Sequence, residues 1–152
     1  MAKHIDKAKE LIEKDDLVLA RAELETATFL DKLPQGDWEI HWWMARSYLK
    51  ELPYRDGRKV LLNLAYDQMT KALSSFRYAG NDLDRIRCLA SIGWICILKK
   101  DYPGAVYHLL VGKKKADELK TEATDFKSCI SFLLGLAYLK HKLYDQSKSE
   151  FD

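Results

Sequence analysis

Between Cys88 and Gly112 the chain reads CLASIGWICILKKDYPGAVYHLLVG, and this stretch limits the fold more tightly than any other. Leu89, Ile92, Gly93 and Cys96 fall at spacings of three, one and three, and Tyr102, Ala105, Leu109 and Gly112 follow at three, four and three. Both are helical periods, because an α-helix brings every third or fourth side chain to one face. One tight turn joins the two patterns, so they must pack as a hairpin. Small residues at 93, 105 and 112 let the helices approach where they cross, and the large ones fill the space between.

The same periods run through the rest of the chain. Only 3 Pro and 7 Gly occur, nearly all between periodic segments, and the β-branched and aromatic residues recur at three and four rather than two, which leaves helix and short turns. Residues 2 to 13 place Ile5, Ala8, Leu11 and Ile12 on one face; Lys14 to Asp16 make a turn; Leu17, Ala20, Leu24 and Ala27 repeat the second-helix pattern, which residues 34 to 36 end. A third helix runs from an N-cap at Asp37 to Glu51, with His41, Met44, Ala45 and Tyr48 in the pattern positions. ELPYRDGR at 51 to 58 reads as a loop, and residues 57 to 79 as one long helix stopped at Gly80. Helix five covers about 82 to 100, helix six about 102 to 119, helix seven about 122 to 141, and Tyr144, Ser147 and Phe151 open an eighth. ARSYLK at 45 to 50 aligns without gaps to GLAYLK at 135 to 140, which marks the hairpin as a repeat.

This alternation of a large residue, Leu-Gly and Tyr with Ala, a large residue and Ala resembles the tetratricopeptide repeat (TPR). The small residues at 8, 45, 93 and 135 lie 37, 48 and 42 positions apart, longer than the TPR period of about 34. The likeness is therefore to the long-period members, such as LGN-type adaptors, kinesin light chains and Rap-type regulators. It implies an all-α, right-handed solenoid of stacked hairpins, about eight helices in one domain. The repeats cover about 1–36, 37–80, 81–120 and 121–152, the last of them incomplete.

With 47% hydrophobic and 32% charged residues the composition is that of an ordinary folded domain, and a net charge of +2 gives no global basic excess for nucleic acid. The three cysteines, at 88, 96 and 129, form no CxxC pair and read as buried thiols in a reducing, cytoplasmic or nuclear compartment. No signal peptide and no membrane span is legible. His4, His41, His108 and His141 have no second ligand at metal spacing, and no catalytic fingerprint occurs. The expectation is no catalytic residue, no metal and no cofactor.

The resemblance also implies a binding face. In a TPR stack the residues three before and one after the small residue of each first helix point into the concave groove. Here they are Trp42 and Arg46, Ala90 and Trp94, and Phe132 and Leu136, with Trp43 beside them. These aromatics are either an apolar groove or ordinary interior, since an aromatic at helical spacing usually packs within its own repeat. The Lys, Asn and Arg clamp that TPR proteins use for the acidic tails of heat-shock chaperones is absent: Ile5, Lys9, Trp43, Arg87 and Ser91 stand in its place.

Charges separate by edge, with Lys50, Arg55, Arg58, Lys59, Lys99, Lys100, Lys140 and Lys142 in turns within repeats. Asp31, Asp37, Glu39, Asp82, Asp84, Glu118, Glu122 and Asp125 lie in the connections between them. That is either complementarity to helix dipoles or a basic ridge for an acidic partner or nucleic acid. The expected function is a non-catalytic scaffold holding a peptide segment of another protein. The alternative readings are a regulatory or assembly subunit that uses its convex face or open end, and a nucleic-acid-associated protein that uses the ridge. The short last repeat suggests a fragment of a longer solenoid, or self-association through the C-terminal hairpin.

Overall fold

Helices form where the three-and-four spacing places them. A computed structural model describes residues 2–30, 38–54, 57–75, 82–119 and 124–151. It contains α1 (Ala2–Glu13), α2 (Leu17–Leu30), α3 (Trp38–Glu51), α4 (Arg58–Ser75), α5 (Asp82–Leu98), α6 (Tyr102–Glu118) and α7 (Thr124–Phe151), with a 3-10 turn at Leu52–Tyr54. No strand occurs among the described residues, and the protein is all-α. No helix among them is long and apolar enough to cross a membrane. The expected helix end at 34–36, the cap at Asp37, the stop at Gly80, and Asp31, Arg55 and Glu122 lie outside the described residues. The chain divides into two compact units, Met1–Gly80 and Asn81–Asp152.

In the first unit α1 packs on α2, both pack on α3, and α3 packs on α4. One cluster joins Ile5, Ala8, Leu24, Ala27, Ile40 and Met44, and a second joins Ile12, Leu17 and Ala20. Trp43 packs against both. Polar contacts tie the helices at the edge of this core. Arg21 on α2 lies 3.3 Å from the Glu51 carboxylate, donates to the Ser47 hydroxyl at 3.4 Å and covers the Tyr48 ring at 4.9 Å. Lys50 on α3 donates to the Ile12 carbonyl at 2.5 Å and pairs with Asp15 at 3.3 Å, closing the C-terminal end of α1.

The turns after α1 and α5 share one hydrogen-bond pattern. Asp16 N–H donates to Leu11 and Asp15 N–H to Ile12, just as Asp101 N–H donates to Cys96 and Lys100 N–H to Ile97. This is a Schellman termination, which needs a left-handed residue at its centre. Asp15 and Lys100 supply it at φ 61° and 65° although neither is glycine, a conformation costing roughly 1–2 kcal/mol. The aspartate that follows begins the next helix. Asp16 and Asp101 accept the first backbone bonds from Ala20 and Ala105, and the Asp101 carboxylate also accepts from the Gly104 N–H at 3.1 Å.

In the second unit α6 packs between α5 and α7, and α5 also touches α7. A Cβ at Gly93 would meet the Leu109 side chain at 2.5 Å, and one at Gly112 would meet Leu89 at 3.3 Å and Ile130 at 3.4 Å. Glycine at 93 and 112 is therefore what brings α5 and α6, and α6 and α7, to their observed separations.

The eighth helix does not form. Residues 144 to 151 continue α7, which runs unbroken for 28 residues, so the described chain has seven α-helices instead of about eight. The physical reason lies at 143, where a leucine stands in the place of the aspartate, Asp16 or Asp101, that begins the next helix after the other two turns. Lacking that cap, the backbone stays helical, and Lys140 and Lys142, expected in a turn, sit in the body of α7. Gly135 has nothing within 4 Å of where a Cβ would stand.

Candidate functional site

The residues singled out from the sequence divide between the two units. Trp42, Trp43 and Arg46 belong to the first. Trp42, read from the sequence as groove or interior, is 8% exposed, with Trp38 edge-on at 6.2 Å. Trp43 is half-buried between the two clusters of the core, and the Lys9 ammonium stands 5.4 Å from its ring centre. Arg46 is exposed.

In the second unit α5 is buried around most of its circumference. Its outward stripe is Arg87, Ser91, Trp94 and Leu98, at spacings of four, three and four. Trp94 is 39% exposed, and Ala90 beside it is buried. On the neighbouring α7, Phe132 is 68% exposed and Leu136 half-buried. The Arg87 guanidinium covers the Phe126 ring at 5.7 Å and fixes the two helices near their N-terminal ends. The arrangement leaves two aromatic side chains on adjacent helices facing water.

Among the described residues no group of three His, Cys, Asp or Glu could hold a metal ion. Burial pushes the Cys88 thiol up to about 12, helped by the Asp84 charge, and the Cys96 thiol up to about 11, helped by Asp101. Both are protonated packing residues at neutral pH. Cys129, expected buried, is exposed on α7, because it lies off the stripe of Ile130, Leu133, Leu134 and Ala137 that faces inward.

A second feature, missed from the sequence, is a cleft of about 400 Å³ in the first unit. Its floor is the row Ile40, Met44 and Tyr48 on α3, with His41 alongside; α2 contributes Glu25, Thr28 and Phe29, and α4 contributes Gln68 and Lys71. His41 Nδ1 and Gln68 Oε1, 2.9 Å apart, pin α3 to α4 at the base of that wall. Phe29 at the rim is 93% exposed. One signal was legible: Phe29 lies off the buried stripe of Leu17, Ala20, Leu24 and Ala27, so an apolar residue there has no interior to enter.

Neither a family model nor a curated protein sequence matches this chain.

Proposed function

We propose that this protein is a TPR-like α-solenoid acting as a non-catalytic scaffold, which holds a segment of a partner protein against Trp94, Phe132 and Leu136. The observation that carries this reading is the exposure of Trp94 and Phe132 on adjacent helices of one unit. The repeated turns after α1 and α5 and the glycine crossing at Gly93 support the repeat assignment. A reducing, cytoplasmic setting suits the buried, protonated thiols of Cys88 and Cys96.

The test is affinity capture from a lysate of the source cells, with quantitative mass spectrometry, comparing the natural chain with Trp94→Ala and Phe132→Ser. Aromatic anchors dominate interface energies, so each variant should lose about tenfold or more of its specific partners. Phe132→Ser, at an exposed site, should keep its melting temperature within a few degrees. Unchanged capture by both variants would reject this face as the binding surface.

A further inference from the structure

We propose that this chain pairs with a second copy of itself through α7, each copy laying residues 144–151 over Gly135, Tyr138 and Leu139 of the other. The register of the hairpins carries the inference. In α1–α2 and in α5–α6 the small residue of the first helix meets the large residue sixteen places on: Ala8 shares a core cluster with Leu24, and Gly93 lies against Leu109. Ile12, four places after Ala8, packs with Leu17 and Ala20 of α2, and its counterpart Ile97 is buried as well. On α7 the same places are Gly135 and Leu139, and they lie open. Gly135 is exposed with nothing beside it, Leu139 is 54% exposed, and so is Tyr138, whose counterpart Cys96 is buried.

The residues that belong over this face by register are Tyr144, Ser147 and Phe151, in the places of Leu17, Ala20 and Leu24 and of Tyr102, Ala105 and Leu109. They follow on the same unbroken helix. Residue 151 therefore stands about 24 Å along α7 from Gly135 and does not reach it within one chain. A second copy running antiparallel supplies the missing cover. Centred on residue 143, a two-fold pair sets 151 of one copy at 135 of the other and 147 at 139, which restores the hairpin register between chains. Both copies gain the same contact, as in the exchange of an identical element between protomers. The straight backbone through Lys142 and Leu143, where the other hairpins turn, is what allows that exchange. The pairing makes no use of Trp94 or Phe132 and stands apart from the face assigned to a partner protein.

Sedimentation equilibrium of the full chain should give twice the monomer mass. Leu139→Glu, at an exposed site, places a charge in the contact and should weaken the dimer about tenfold or more, with circular dichroism confirming that the helix content is kept. Lys142→Gly together with Leu143→Asp writes in the left-handed residue and the aspartate of the other turns, and should return a monomer. Trp94→Ala should leave the mass unchanged. In a Cys129→Ser chain, Leu139→Cys with Ser147→Cys should link two chains on oxidation with diamide. A natural chain that stays monomeric at every concentration, a dimer that survives Leu139→Glu or the introduced turn, or cysteines that stay unlinked or join within one chain would overturn the assignment.

Discussion

The α1–α2 and α5–α6 hairpins are built on one plan and used differently. Their turns share the same bonds, and Ala8, Leu24 and Asp16 occupy the places of Gly93, Leu109 and Asp101. The position after the small residue is Lys9 in the first and Trp94 in the second. Lys9 closes the seam to the next first-type helix, pairing with Glu39 at 3.5 Å and covering Trp43. Trp94 stands 39% exposed on the outward stripe of α5. The next helix along repeats the contrast, since Trp42 on α3 is buried and its counterpart Phe132 on α7 is exposed. The fold tolerates a lysine where Trp94 stands, so the aromatic surface of the second unit is not something the hairpin requires.

The largest effect is expected where the hairpins differ by one methyl group. Gly93→Ala drives a Cβ into the fully buried Leu109, and should cost about 3 kcal/mol in denaturant unfolding. Leu109→Val, introduced with it, should restore part of that loss. The reverse exchange, Ala8→Gly, only loosens a helix and should cost about 1 kcal/mol. Equal costs at the two sites would show that α5 and α6 are not held closer than α1 and α2.

Trp94→Lys writes the first hairpin's residue into the second. Stability should change by less than about 1.5 kcal/mol, because part of the side chain is already solvated, whereas partner affinity should fall by about 2 kcal/mol. A collapse of the melting temperature with affinity preserved in the folded fraction would make Trp94 interior. At the turn itself, Asp101→Ala removes the cap on Gly104 and should cost about 1 kcal/mol. Asp101→Asn should recover most of that.

The smallest effects separate the units by pH. Burial lowers the His108 pKa below its ordinary 6.5, with the Asp101 charge opposing, so the folded chain binds this proton less readily than the unfolded chain. Stability is therefore unaffected above about 6.5, falls as pH drops from there towards the folded value, and then levels. In the first unit the hydrogen bonds from His4 and Lys7 lower the Glu23 pKa from 4.5. That contribution is complete above 4.5 and disappears as pH falls through the lowered value. Thermal melts of His108→Gln and Glu23→Gln across pH 3 to 8 should remove one slope each, in those two windows.

Much of this fold was legible because spacing reports helices directly. Leu17, Ala20, Leu24 and Ala27 are all buried, as are Tyr102, Ala105, Leu109 and Gly112. The unbroken run of α7 was not legible from spacing, because Tyr144, Ser147 and Phe151 keep the second-helix period while the residues before them lack a cap. A period records which residues share a face and is silent on where the backbone turns. The exposure of the aromatics was hidden for a related reason: Trp42 and Phe132 hold the same place in the pattern, and only the surrounding helices decide which one meets water. The cleft was least legible, since its walls come from three helices whose lining residues share no sequence period.

The clasp of Lys50 on the end of α1 bears on the order in which the first unit can assemble. The last turn of α1 and the Asp15 bend receive a donor from α3, more than thirty residues away in the chain. An isolated α1–α2 hairpin would lack that clasp, so the end of α1 gains its full protection only with α3 in place. Amide exchange near the α1 terminus should then slow only once α3 has docked, and Lys50→Met should speed exchange there while leaving the centre of α1 protected.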